Sequence, residues 1–354
     1  MSGISLTDIE TYGENGYDMY RVPGMVVLSN DDILLYYEAR AAASDQRRLL
    51  LRRSCNKGKS FGEPSVLKKG KDGVMVHNPL MISGTGKEVY FFWNEDYKRL
   101  YFQKSENYGE SWLPQVELTS VVKGWRKDWP LTLFAVAPGH GLQMKNGTLV
   151  LPLWLSCGIN AHNPACFASL YSEDHGDTWK RSNLVLSNDD VLDPTEGEVA
   201  ELSDGSLLAT LRHGAPETRL RAFVRGTPEH WGNAYLDPSL PDPICAGSIL
   251  SLPDQTLLFS NCAWKDEAYL LQYRAGGTLH WSKNARQNLT LRRSMDNGKT
   301  WSKGIQLSKQ GGYSDLGCSV DGDFLYCFFE RGWIGGDCIY NKHLTFAQIK
   351  REVF

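Results

Sequence analysis

The stretch GGYSDLGCSVDG, residues 311 to 322, sets a tyrosine among small and polar residues, just ahead of FLYCFFE (324–330), which reads as a buried strand. A core tyrosine has apolar neighbours, whereas Tyr313 has two glycines before it and Ser314 and Asp315 after it. The plain reading is a turn tyrosine with its ring half buried. The chemical reading is a phenol held in a pocket for reaction. With a pKa near 10, such a phenol needs a base beside it to act as a nucleophile. Carboxylates for that work occur in EGEVAELSDGSLLATLR (196–212). Glu196 and Glu198 share one strand parity, and a bulge could bring Glu201 to the same face, although its place near the hairpin suits a solvated side chain. The residue types alone leave this choice open. None of the eight cysteines forms a CxxC pair, and several lie in apolar runs such as LYCFF, so buried thiols are expected rather than zinc or a disulfide framework. Nothing has metal-ligand spacing, and no cofactor is expected.

Holding such groups takes a rigid frame, and a repeat supplies it. Four octets share the pattern Ser, any, Asn or Asp, any, Gly, any, Ser or Thr, aromatic: SCNKGKSF (54–61), SENYGESW (105–112), SEDHGDTW (172–179) and SMDNGKTW (294–301). The Asn or Asp accepts backbone N–H bonds across a tight hairpin, and the glycine takes a positive φ. The aromatic is expected to swing back between adjacent sheets. Alternating segments such as LTLRRS and LLLRRS run into the turns as strands. The octet serines stand 51, 67 and 122 residues apart. The last gap holds about two units, so one unit between 223 and 280 lacks the octet, with CAGSILSLP, QTLLFSN and AYLLQYR as its strands. About sixty residues per unit gives six four-stranded antiparallel units around an axis, an all-β six-bladed propeller spanning 1–354 as one domain. The only helical period is the C-terminal FAQIKREVF.

The totals exclude other classes. The formal charge is −3, with Lys and Arg spread along the chain, so no nucleic-acid footprint is expected. No apolar run approaches the ~18 residues of a membrane span. The start, MSGISLTDIE, lacks a signal-peptide pattern, which suits a cytoplasmic protein, or a secreted or periplasmic one with its leader removed.

Propellers with these octets, called Asp boxes, include the sialidases (neuraminidases), and here the likeness runs over nearly the whole chain. YRVP (20–23) resembles that family's Tyr/Phe-Arg-Ile-Pro motif. EARAAASDQRRLLLRRS (38–54) resembles its acid-base segment, and WPLTLFAVAPGHGLQM (129–144) its Phe-Ala-Val-Gly-Pro-Gly-His segment. The stretch 196–212 is similar to its glutamate-to-arginine strand pair, and GGYSDL to its nucleophile loop. The resemblance implies hydrolysis of terminal α-linked sialic acid from oligosaccharides, glycoproteins or glycolipids.

A sialic acid carries a carboxylate on its anomeric carbon, and guanidinium forks match that group. The resemblance assigns Arg21, Arg212 and Arg286 to it. Arg286 competes with Arg292 and Arg293, which strand alternation sends to opposite faces. A carboxylate nucleophile would be repelled by the substrate's own carboxylate, whereas a phenol arrives neutral. Tyr313 is therefore the implied nucleophile and Glu196, by family spacing, its base. Asp45 is the implied acid-base residue, and Arg40, five residues earlier, the contact to a substrate hydroxyl. Glu330 is the implied brace of the first arginine. His140 reads as structural, and Trp93, Glu95 and Asp96 as rim residues. Two other readings stay open: a glycosidase for another 2-keto sugar acid (Kdn, Kdo or a bacterial nonulosonate), and a non-catalytic carbohydrate-binding propeller.

Overall fold

The octets close hairpins as their residue types dictate. In SEDHGDTW the Ser172 hydroxyl donates to Asp174 and accepts the Gly176 N–H at 2.8 Å, while Asp174 accepts the Thr178 N–H at 2.8 Å. The serine-to-glycine bond recurs at Gly58, Gly109 and Gly298. These glycines hold φ between +75° and +92°, a region that a Cβ disfavours.

The computed structural model describes residues 3–41, 46–71, 73–159, 161–214, 219–265 and 283–354. Its strands form six antiparallel sheets, the blades of the expected propeller. Blade 1 holds Met19–Val27, Ile33–Ala41, Gln46–Ser54 and Ser65–Lys69. Blade 2 holds Val76–Ser83, Val89–Glu95, Arg99–Ser105 and Val116–Glu117. In blade 3 the inner strand is split into Leu133–Val136 and Leu142–Gln143, followed by Leu149–Ser156, Ala165–Ser172 and Lys180–Arg181. Blade 4 holds Thr195–Glu201, Leu207–Arg212, Leu220–Gly226 and Tyr235–Pro241, and blade 5 Ser248–Ser251, Leu257–Cys262, Gln287–Ser294 and Ile305–Gln310. Blade 6 is closed by both ends of the chain: Ser314–Cys318, Phe324–Ile334 and Asp337–Lys350 pair in turn, and Ile4–Thr11 adds the outer strand.

The core lies between blades. Among the described residues, six apolar clusters fill the six interfaces of the ring. Octet aromatics reach back into them. Trp179 lies 5.4 Å from Phe92 of the preceding blade, and Trp301 stacks 5.9 Å from Phe223.

Two expectations need correction. The octet always joins the third and fourth strands of its blade, so two blades lack one: blade 4, residues 195–241, and blade 6, whose third and fourth strands come from opposite ends of the chain. CAGSILSLP and QTLLFSN belong to blade 5, whose octet is SMDNGKTW; AYLLQYR lies outside the described residues. In blade 4 Trp231 fills the missing aromatic's place, buried among Phe167, Val199 and Val224, with its indole donating to Ser169 at 2.9 Å. FAQIKREVF is not helical. Its first part continues the strand Asp337–Lys350, with strands on both sides, and only Arg351–Val353 makes a 3-10 turn. Two sheet ladders outweigh the helical spacing of a nine-residue segment.

Turns alternate between the two faces of an antiparallel blade. The octets therefore mark one face of the disc, and the starts of the inner strands mark the other. On that second face three inner strands bulge with a non-glycine residue at positive φ: Val22 (57°), Asn78 (48°) and Glu196 (37°). Such bulges re-aim side chains and concentrate at functional sites.

Candidate active site

Tyr313 enters from blade 6, immediately before its inner strand. Its hydroxyl donates to the Glu196 carboxylate, 2.7 Å from Oε1 and 2.8 Å from Oε2, and accepts from Arg212 Nη1 at 2.7 Å. The same Arg212 nitrogen reaches Glu196 Oε2 at 2.5 Å. The bulge decides which glutamate does this. Glu196 turns to the phenol, Glu198 points to the axis below, and Glu201 is buried at the far end, accepting the Lys145 N–H at 2.9 Å rather than lying in solvent.

Charge states follow from the surroundings. Burial alone would raise Glu196, but the charge of Arg212, hydrogen bonds from Tyr313 and Arg212, and the field of Arg286 hold it below the ordinary carboxylate value. Burial, with the charge of Glu196 adding, pushes the Tyr313 phenol up, against the pull of Arg212 and Arg286. The resting pair is thus phenol and carboxylate, the state in which a base can take the phenol proton.

Arg21 and Arg286 close the pocket on the other side. Glu330, fully buried, accepts Arg21 Nε at 2.6 Å, lies 3.7 Å from Arg286 Nη1 and accepts the Tyr313 N–H at 3.1 Å. Both guanidinium groups stand over the Tyr313 ring, 5.6 and 5.0 Å from its centroid. The glycines before Tyr313 make room for this, since a Cβ on Gly312 would fall 2.4 Å from Glu330 Oε2. Arg286 is the inward arginine as expected: Arg292 donates to Asn261 at 3.0 Å and Arg293 is exposed. Three arginines and the carboxylates of Glu196 and Glu330 sum to one net positive charge, suited to a monoanion. Glu330→Gln removes the shared counter-charge and is expected to raise KM at least tenfold. It should also lower the unfolding free energy by roughly 3 kcal/mol. Steady-state kinetics and urea denaturation measure the two effects.

Arg40 occupies the neighbouring sector. It and Arg47 clasp Glu38, at 2.6 and 3.6 Å. Burial works against the charge of Glu38, but those two arginines bring it down to about 2. Arg47 also donates to His77 Nδ1 at 2.6 Å. Burial first, aided by Arg47 and Arg40, lowers His77 to about 4, so its imidazole is neutral and able to accept that bond. Asp45 lies outside the described residues. A cavity of about 400 Å³ opens beside the tyrosine pair, lined by Trp154, His162, Asp193, Thr195, Glu196 and Arg212, a size usual for small-ligand sites.

Sequence reasoning missed Glu38, Arg47, His77, Trp154 and His162. Parity could have found Glu38, two residues from Arg40 on one strand. The others come together only through packing, as in the stack of Tyr97 on His77 at 4.0 Å. Trp93 is buried against Phe91 and Tyr101 rather than set at the rim. Five of the eight cysteines are buried; Cys55 is exposed, and Cys157 and Cys318 are half-buried.

The fold and the site define a six-bladed Asp-box propeller carrying a tyrosine–carboxylate pair beneath three arginines. Residues 32–327 match the BNR repeat-like domain family. The chain is 26% identical to a sialidase of Micromonospora viridifaciens over 94% of its own length and 54% of that protein's. It is 28% identical to a sialidase of Bacteroides fragilis (strain YCH46) over 71% of its length and 41% of that protein's. Hadza microbial sialidase Hz136 shares the fold, with a TM-score of 0.77 at 20% identity, over 99% of this chain and 69% of that one. The chain belongs to the BNR repeat-like domain family, among the sialidase propellers. It spans about half the length of the two curated relatives named here.

Proposed function

We propose that this protein is a retaining exo-α-sialidase, removing terminal α-linked sialic acid from glycoconjugates through a tyrosyl-enzyme intermediate. The observation that carries the reading is the Tyr313 hydroxyl, 2.7 Å from Glu196 and 2.7 Å from Arg212, beside Arg21 and Arg286. The names of its sialidase relatives support the same substrate class.

In this reading the three arginines take the substrate carboxylate and so fix the anomeric carbon over the phenol. Glu196 accepts the phenol proton as the oxygen attacks, and Arg212 stabilises the developing phenolate. Asp45 protonates the departing glycosidic oxygen. Water, with Asp45 now acting as base, then attacks the same carbon; the Tyr313 oxygen leaves and recovers its proton from Glu196. Two displacements at one carbon restore configuration.

The test is a screen of aryl glycosides of Neu5Ac, Kdn and Kdo, with Tyr313→Phe as control. The Neu5Ac glycoside is expected to turn over fastest, and NMR should show the free sugar first as the α-anomer. An initial β-anomer would refute retention, and faster turnover of Kdn or Kdo would reassign the substrate.

A further inference from the structure

We propose that His140 is a positioning residue: as an imidazolium on the propeller axis it holds Glu198 and Asp315, and through them sets the spacing of Glu196 and Tyr313. The proposal rests on the reading of Tyr313 as nucleophile given above.

The geometry is a two-storey arrangement. Glu198 stands two residues after Glu196, and Asp315 two residues after Tyr313. The upper pair meets at the phenol. The lower pair meets at His140 Nδ1, 2.6 Å from Asp315 Oδ1 and 2.8 Å from Glu198 Oε1. His140 comes from the loop that splits the inner strand of blade 3, and it lies against the axis because Gly139 before it has no side chain. A Cβ there would fall 2.3 Å from Glu198 Oε1.

Backbone and hydroxyl donors tie the two carboxyl groups to other blades. Glu198 accepts Ile249 N–H of blade 5 at 2.8 Å, and Asp315 accepts Met25 N–H of blade 1 at 2.6 Å and Ser248 Oγ of blade 5 at 3.3 Å. Five blades thus converge on one ion cluster. Nδ1 faces two carboxyl groups and so carries a proton, and the charges of Glu198 and Asp315 favour the imidazolium over the neutral Nδ1–H tautomer. Among the described residues, the other groups facing the cluster are Tyr36 of blade 1, Ser248 of blade 5 and Cys327 of blade 6. Burial first, then the charges of Asp315 and Glu198, push Tyr36 and Cys327 up, so both stay neutral. The ring also borders a cavity of about 330 Å³ on the octet side, which gives its proton a route to solvent.

The pH dependence has a definite sign. Burial works against the imidazolium, but Glu198 and Asp315 raise His140 well above 6.5. Burial, with Asp315 adding, raises Glu198 from 4.5 to about 7, against the pull of His140. Both shifts are upward, so both favour the fold on the acid side. The share from Glu198 fades as pH rises from 4.5 to about 7. The share from His140 is complete below 6.5 and is lost as pH climbs through its raised value.

The experiment compares wild type with His140→Gln on an aryl sialoside, whose departure needs no acid. Deprotonation of His140 should make wild-type kcat fall in alkali; expected for His140→Gln is a kcat at least tenfold lower, KM within twofold because the arginines are untouched, and no such alkaline fall. Trp231→Phe, a destabilised variant remote from the axis, should lower Tm and leave kcat unchanged. Wild-type kcat in His140→Gln with only Tm reduced would overturn the proposal. So would a stoichiometric divalent ion in the purified protein that is lost with His140, since the cation would then be a metal. Should His140→Gln not fold, nitrogen-15 histidine NMR of the wild type decides: an imidazolium at pH 8 supports the proposal, and a neutral ring at pH 7 overturns it. Tyr313→Phe run in parallel separates the two readings. An active Tyr313→Phe removes the nucleophile assignment, whereas an inactive one beside a fully active His140→Gln removes this proposal alone.

Discussion

Tyr313→Phe is expected to lose at least about 10³-fold in kcat/KM while remaining folded, because the substitution deletes only the attacking atom. The ring keeps its place over the guanidinium groups of Arg21 and Arg286, and its backbone N–H keeps Glu330. Glu196 loses one donor but retains Arg212 at 2.5 Å, so no buried carboxylate is left without a partner. The thermal midpoint should move by no more than a few degrees. Nor can a neighbouring carboxylate replace the phenol. Glu196 would approach a carbon already bearing a carboxylate, and in this partly buried site the repulsion is several-fold stronger than in water. Near-normal turnover by Tyr313→Phe would sink the covalent mechanism. Circular dichroism and binding of a sialic-acid analogue, measured alongside, distinguish lost chemistry from lost structure.

Asp45→Ala is expected to fall selectively. Protonation matters most for a poor leaving group such as a galactose hydroxyl, and there the loss should be on the order of 10² to 10⁴. A low-pKa aryl oxygen departs unaided, so kcat/KM on an aryl sialoside should change far less, with the later hydrolysis step limiting kcat. Variants of Tyr313 and Glu196 should show no such rescue, since attack is needed whatever leaves. The measurement is kcat/KM for each variant on an aryl and a lactose-linked substrate. Equal losses on both would make Asp45 a binding or structural residue.

The two experiments probe groups that were legible to different degrees. Arg21, Arg212, Arg286, Glu330 and Tyr313 could each be picked out from short motifs, and the structure brings all five together around one pocket. The octets announced the blades because a Ser–Asx–Gly hairpin is a local object, closed by bonds spanning four residues. Strand alternation sufficed to separate Arg292 from Arg293. What alternation could not do was choose Glu196 over Glu198, since the two share a parity. That choice was made by the bulge between Thr195 and Glu198, with Glu196 at φ 37°.

By itself, then, the sequence determined the number of blades, the turn that closes four of them and the residue types delivered to one face of the disc. These follow from backbone preference and side-chain period, both of which act over a few residues. Only the tertiary structure decided which groups meet. Tyr313 and Glu196 are 117 residues apart in the chain, and Arg21 and Glu330 are 309 apart. Their contacts exist because the ring closes, with Ile4–Thr11 zipped onto Asp337–Lys350. The same closure turned a helical-looking C-terminus into a strand, let Trp231 replace an absent octet aromatic and drew His140 between two carboxylates. No local pattern encodes those outcomes, because each depends on what the neighbouring blade presents.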